Sequence, residues 1–198
     1  MRADPGALRM LCRPSKRVRL DEGATHLGGA SHASTRLSRE QRSMMTPATH
    51  MLDRLGIEYW VKVHAGPVYT AEQAAAQRHV MLSQVTKAMI VTSAGGLSLC
   101  VLIPGDRRLS LARLADSLGE HGFRLARRKE VERMTGYEVG AITPLGLQEK
   151  GLRILLDRGV LEQEWVTISA GTPEAGILLR SADLARAVNA TVGTFAEP

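Results

Sequence analysis

Three short stretches of this 198-residue chain hold residue types able to do chemistry. Ser83-Gln84-Val85-Thr86-Lys87 sets a cation at the entrance to an apolar run, where buried backbone meets solvent. Thr135-Gly136-Tyr137-Glu138-Val139-Gly140-Ala141-Ile142-Thr143-Pro144-Leu145-Gly146 is rich in glycine, so its backbone N–H groups can approach a ligand that side chains would otherwise block. Ser169-Ala170-Gly171 is a small-residue turn at the end of a strand-like run.

The rest of the chain removes the commoner alternatives. No GxxxxGK[ST] phosphate loop, GxSxG elbow, HExxH helix or paired CxxC occurs. The six histidines, His26, His32, His50, His64, His79 and His121, show no metal-binding spacing, so neither a metal nor a cofactor is expected. Cys12 and Cys100 are too few for a disulfide scaffold, and Cys100 sits in a strand pattern as a small core hydrophobe. The longest uncharged stretch, Ala88 to Gly105, is broken by Gly95-Gly96 and reads as two strands and a turn instead of a membrane span. The N-terminus lacks an apolar leader core, and a soluble, cytoplasmic protein is expected.

The chain carries a net charge of +6, with 44% hydrophobic residues to build a core. Residues 1–43 hold nine Lys/Arg against four Asp/Glu, and they lack sustained periodicity. They are expected to be a basic, poorly packed extension, with residues 44–198 forming one domain that is nearly neutral overall.

The elements that position the three stretches follow from caps and periodicity. Thr46-Pro47 opens a helix that Gly56 stops, and Ile57 to Val63 reads as a strand. Thr70 and Gln73 form a capping box ahead of an alanine-rich helix over Ala71 to Gln77. Ser83 to Thr86 predicts a helical turn, and Ala88 to Ser93 and Leu97 to Ile103 predict an antiparallel hairpin around Gly95-Gly96. Ser110 caps a helix through Leu118; a strand near Phe123 to Ala126 and a helix near Arg128 to Met134 follow. Ile154 to Leu156, Trp165 to Ser169 and Gly176 to Leu179 read as strands, and Ser181 as the cap of a last helix over Ala182 to Val188. Hairpins mixed with short helices indicate an α+β domain, with a mixed, mainly antiparallel sheet wrapped by helices.

Taken in order, these features resemble the YbaK family, the aminoacyl-tRNA deacylases related to the editing domain of bacterial prolyl-tRNA synthetases. The likeness runs through Thr46-Pro47-Ala48, Gln84-Val85-Thr86-Lys87, Pro104-Gly105-Asp106, Thr135-Gly136-Tyr137, the GxxxP element Gly140 to Pro144, Ser169-Ala170-Gly171 and Ser181-Ala182-Asp183-Leu184. It implies the α+β fold just derived and hydrolysis of the ester joining a wrong amino acid to the 3′ end of a tRNA. It further implies Lys87 as the essential lysine, with Gly140 and Ala141 offering N–H groups to the reacting carbonyl or a water, and Pro144 stiffening their loop. Ser169 and Gly171 would form the opposite wall, with Thr135, Gly136, Tyr137 and His64 also contacting substrate. The implied partners are the aminoacyl-tRNA 3′ end and a prolyl-tRNA synthetase. Where the cysteine-clearing branch of that family has a tyrosine and an aspartate, this chain has His64 and Gly176. The resemblance makes cysteine on a proline tRNA the leading substrate, and these two replacements, which weaken that transfer, bring in alanine and serine as rivals. A catalytically silent module that binds tRNA ends or a synthetase is the alternative, and a basic RNA binder working through the tail ranks below both.

Overall fold

The computed structural model describes residues 45–197. The expected basic extension over residues 1–43 lies outside the described residues.

Helix α1 (Pro47–Arg54) starts at the capping box of Thr46 with Thr49, and β1 (Tyr59–Val63) follows it. Helix α2 (Ala71–Arg78) opens on the predicted Thr70/Gln73 capping box and ends at His79, in left-handed conformation with φ 55°. A 3-10 turn (Leu82–Gln84) leads into β2 (Thr86–Thr92), which pairs with β3 (Ser98–Pro104) as the expected hairpin. Then come β4 (Arg108–Leu109), α3 (Leu111–Leu118), β5 (Arg124–Leu125) and α4 (Arg128–Thr135). After the glycine-rich loop lie β6 (Arg153–Asp157), β7 (Trp165–Thr172), β8 (Ala175–Arg180), α5 (Ser181–Ala187), β9 (Thr191–Gly193) and β10 (Ala196–Glu197). Helix α5 is capped by Arg180, with Ser181 its first residue, so the cap falls one position before the predicted serine.

A five-stranded sheet has the order β5-β2-β3-β6-β9, and a three-stranded sheet the order β1-β8-β7; β10 and β4 form a separate pair. Pairing is antiparallel except where β6 lies parallel between β3 and β9, so the sheet is mixed and mainly antiparallel. Side-chain alternation explains why β3 and β6 occupy the middle. Cys100, Leu102, Ile154 and Leu156 face one core, shared with Val166, Ile168, Ile177 and Leu179 of the smaller sheet, and with Leu52 and Leu184. Leu99, Val101, Ile103 and Leu155 face a second core with Leu114, Phe123 and Phe195. Strands buried on both faces need unbroken apolar runs, which is how both segments read. Cys100 is fully buried and free, and burial pushes its thiol up to about 12, in keeping with a core role.

Asp157 ties the end of the chain to this framework. Its carboxylate is buried at the end of β6 and accepts from the N–H groups of Gly159 at 2.8 Å, Phe195 at 2.6 Å and Ala196 at 2.8 Å. Asp157→Ala leaves those donors without an acceptor and is expected to destabilise the domain by about 3 kcal/mol or more. Denaturant unfolding measures this, and a loss below about 1 kcal/mol would show that the segment around Phe195 is held by its apolar contacts alone.

Candidate active site

Helix α2, the start of β2 and the loop before Pro144 enclose a cavity of about 290 Å³. The local sequence explains each wall. The capping box fixes the first turn of α2, so Tyr69, Thr70, Ala71 and Glu72 stand along one side. Strand β2 contributes Thr86, Lys87, Ala88 and Met89. Val139, Gly140 and Ile142 close the loop side, and Ser169 comes from β7.

Lys87 is half-buried, and its ammonium donates to the Arg107 carbonyl, leaving two N–H donors. Burial lowers its pKa from the ordinary lysine range; Glu72 and Asp106 oppose that shift, and Arg108 adds to it. The result is a lysine held in place at a partly dry wall and stabilised as a cation by carboxylates on two sides.

The loop is positioned by backbone geometry. Gly140 has φ +93°, and a Cβ there would lie 2.6 Å from the Tyr69 carbonyl oxygen, so only glycine lets the loop close against the mouth of α2. The Gly140 N–H has no acceptor among the described residues. Ala141 differs from expectation: its N–H donates to the Glu138 carbonyl at 3.0 Å, closing a turn, so of the expected pair only Gly140 keeps an open N–H. Ser169 Oγ donates to the Ala141 carbonyl at 2.9 Å and accepts from Gly171 N–H at 3.1 Å. Its hydroxyl fastens the loop to β7 while the residue lines the cavity.

Of the sequence-predicted residues, Lys87, Gly140 and Ser169 come together on one cavity. The others support it from behind. Thr135 Oγ1 donates to Val131 O at 2.8 Å and accepts from Tyr137 N–H at 3.1 Å, which terminates α4. Gly136 caps that helix with φ +74°. The Tyr137 ring packs on Gly171, where a Cβ would lie 2.9 Å from Cε1, and the Lys150 ammonium sits 5.0 Å from its centroid. Pro144 is buried beneath the loop. These residues were expected to contact substrate; none of them lines this cavity, and their contacts brace the loop beside it.

His64 also stands one layer back, and it holds a residue the sequence did not single out. Arg78, the last residue of α2, is only 6% exposed yet lines the cavity. Its Nε donates to His64 Nε2 at 3.1 Å and its Nη1 to Thr167 Oγ1 at 3.1 Å. The His64 Nδ1 lies 2.7 Å from the Pro173 carbonyl, which fixes the proton on Nδ1 and leaves Nε2 as acceptor. Burial lowers the His64 pKa, the Pro173 contact raises it, and the Arg78 cation lowers it further, so the neutral ring is favoured. Gly176 completes the unit: a Cβ there would lie 2.2 Å from Arg78 Nε. The two departures His64 and Gly176 are thus one arrangement, an acceptor and a space for a single guanidinium. The i, i+4 spacing of Ala74 and Arg78, both buried, was the available signal.

No histidine or cysteine lines the cavity, so no Ser–His or Cys–His pair is present there. The arrangement can hold an acyl group, place donors around its carbonyl and admit water.

Comparison with known proteins points the same way. The profile of the aminoacyl-tRNA editing domain matches residues 65–187, which include every cavity residue. The multifunctional Ser/Thr-tRNA deacylase ProXp-y of Escherichia coli K12 is 29% identical over 140 residues, covering 69% of this chain and 83% of that protein. The proline–tRNA ligase of Thermosipho africanus is 29% identical over 99 residues, which is half of this chain but only 17% of the ligase. A crystal structure of a hypothetical protein, 30% identical, superposes with a TM-score of 0.70 over 75% of this chain and 98% of that one. With its cavity built inside the matched region, the chain belongs to the aminoacyl-tRNA editing domain family.

Proposed function

We propose that this protein hydrolyses, in trans, the ester between a small amino acid and the 3′-terminal ribose of a tRNA. The observation that carries this is the convergence of Lys87, the open N–H of Gly140 and Ser169 on a cavity of about 290 Å³, room for a small aminoacyl group. Water adds to the ester carbonyl carbon, the bond from that carbon to the ribose oxygen breaks, and the ribose oxygen takes up the proton as the amino acid leaves. Donors preorganised around the carbonyl oxygen supply the stabilisation such a step needs without a protein nucleophile. Lys87 positions the ribose or terminal phosphate as a point charge, and Gly140 meets the carbonyl oxygen. Cysteine, alanine and serine are the candidate amino acids. The similarity to prolyl-tRNA ligases supports a proline tRNA as the carrier and association with that synthetase.

Hydrolysis of proline tRNA charged with cysteine, alanine or serine tests this reading. The expected result is release of at least one amino acid far faster than spontaneous loss. Binding of the charged tRNAs without acceleration of release from any of them would overturn it in favour of a silent binding module.

A further inference from the structure

A guanidinium offers five N–H donors, of which His64 and Thr167 take one each from Arg78. Its Nη2 has no hydrogen-bond partner among the described residues, and no carboxylate forms an ion pair with it. Burial is the sole cause that lowers its pKa, to about 10, so it stays a cation at neutral pH. A buried charge without a counter-charge is expensive and is ordinarily paired. Here the lone cation borders a cavity, and the buried Thr86 hydroxyl, from a residue of β2 that lines the same cavity, also lacks a partner.

We infer that Arg78 is a specificity-determining residue, and that the pocket takes a small aminoacyl group whose side chain ends in a hydrogen-bond-accepting oxygen. This rests on the deacylase reading above and names its substrate class. Three features favour the side chain over other substrate oxygens. At 6% exposure, Arg78 is met only by a group that enters the cavity, which a backbone phosphate on a solvated tRNA strand does not do. The α-ammonium of the substrate is repelled by Arg78 and drawn to the exposed Glu72 carboxylate, which turns the side chain inward. Lys87 and Gly140 already serve the ester end. A site built to hydrogen-bond a substrate oxygen discriminates strongly against the analogue lacking it, because its own buried donor is then left unpaired. A serine or threonine hydroxyl and an aspartate carboxylate share this chemistry.

The test uses non-hydrolysable amide-linked analogues, 3′-aminoacylamino-3′-deoxyadenosines carrying seryl, threonyl, aspartyl or alanyl groups, titrated against the full chain. Their binding does not depend on turnover, so this readout stands apart from hydrolysis of charged tRNA. The expected result is that a hydroxyl or carboxylate analogue binds about tenfold or more tighter than the alanyl one. The arm that wins identifies the source of the oxygen. Arg78→Met removes that preference, and so does Gly176→Ala, which displaces the guanidinium without altering its charge. Thermal melting confirms that each variant is folded, and Gly176→Ala carries the test if Arg78→Met is not. Binding of the seryl, threonyl and aspartyl analogues to the wild type no tighter than the alanyl one would overturn the inference. So would a loss in the variants that is uniform across all four analogues, which marks Arg78 as a holder of the shared adenosine end or of the fold.

Discussion

Lys87→Ala lowers kcat/KM for aminoacyl-tRNA hydrolysis by about a hundredfold or more, the scale of loss when the group that positions the substrate is removed. The loss follows from how the side chain is held. Its ammonium is tied to the Arg107 carbonyl and flanked by Glu72 and Asp106, so the charge is placed before the substrate arrives. Stability changes little, because Lys87 lines a cavity instead of filling a core. The same environment sets a pH dependence. Burial holds the Lys87 pKa below the ordinary lysine range, so activity that needs the ammonium falls as pH rises through that lowered value. Lys87→Arg keeps its charge to higher pH, and its residual activity is expected to persist further into alkali. Identical alkaline limbs for wild type and Lys87→Arg would show that another group titrates, and near-wild-type turnover by Lys87→Ala would remove the lysine from the mechanism.

Gly140→Ala is the second large effect, and it acts through backbone. The added methyl would sit 2.6 Å from the Tyr69 carbonyl oxygen and 2.9 Å from Tyr69 Cα, at φ +93° where an L side chain is already strained. Neither neighbour is a flexible side-chain tip, so the loop must retreat from the mouth of α2. Loss of its open N–H from the carbonyl site is expected to reduce kcat/KM by about a hundredfold, against a stability loss of about 1–3 kcal/mol for the strain. Gly136→Ala is the matched control. Its φ is +74°, but the methyl meets only the tip of the Lys150 side chain, at 3.0 Å. It is expected to cost about 1 kcal/mol of stability while kcat/KM stays within about threefold of wild type. Comparable activity losses in the two variants would mean that the loop responds to any added strain and that the position of Gly140 is not special.

The caps and hydrophobic periods that mark α1, α2, the β2–β3 hairpin and α3 act over a few residues, so they were legible in the sequence. The short strands β4, β9 and β10 carry two or three residues each, too few for a period, and exist because distant partners pair with them. Lys87 and Gly140 stood out because a cation at a strand entrance and a glycine in a turn-rich loop have local signatures. Thr135, Tyr137 and Gly171 share those signatures but serve helix termination and ring packing, which only the tertiary contacts separate from substrate binding. Arg78 stayed hidden for the opposite reason. An arginine at the C-terminal turn of a helix is ordinarily solvated, and what buries this one is His64, Thr167 and Gly176, brought in from β1's end, β7 and β8.

Among the described residues, strand β1 has β8 as its only pairing partner, with Tyr59 opposite Leu179 and Val63 opposite Ala175. Those contacts close a loop of more than a hundred residues, and pairing at such separation is slow to form. During synthesis, α2 and Lys87 leave the ribosome long before β7 and β8 exist to receive Arg78, so the last wall of the cavity is assembled only after Gly176 has emerged. A chain stalled at Thr172 holds the lysine, the loop and the serine, yet its arginine has no glycine to lie against and its first strand has no neighbour. The wall that holds Arg78 therefore takes shape only once β8 has paired with β1, although the residues it completes lie a hundred positions earlier in the chain.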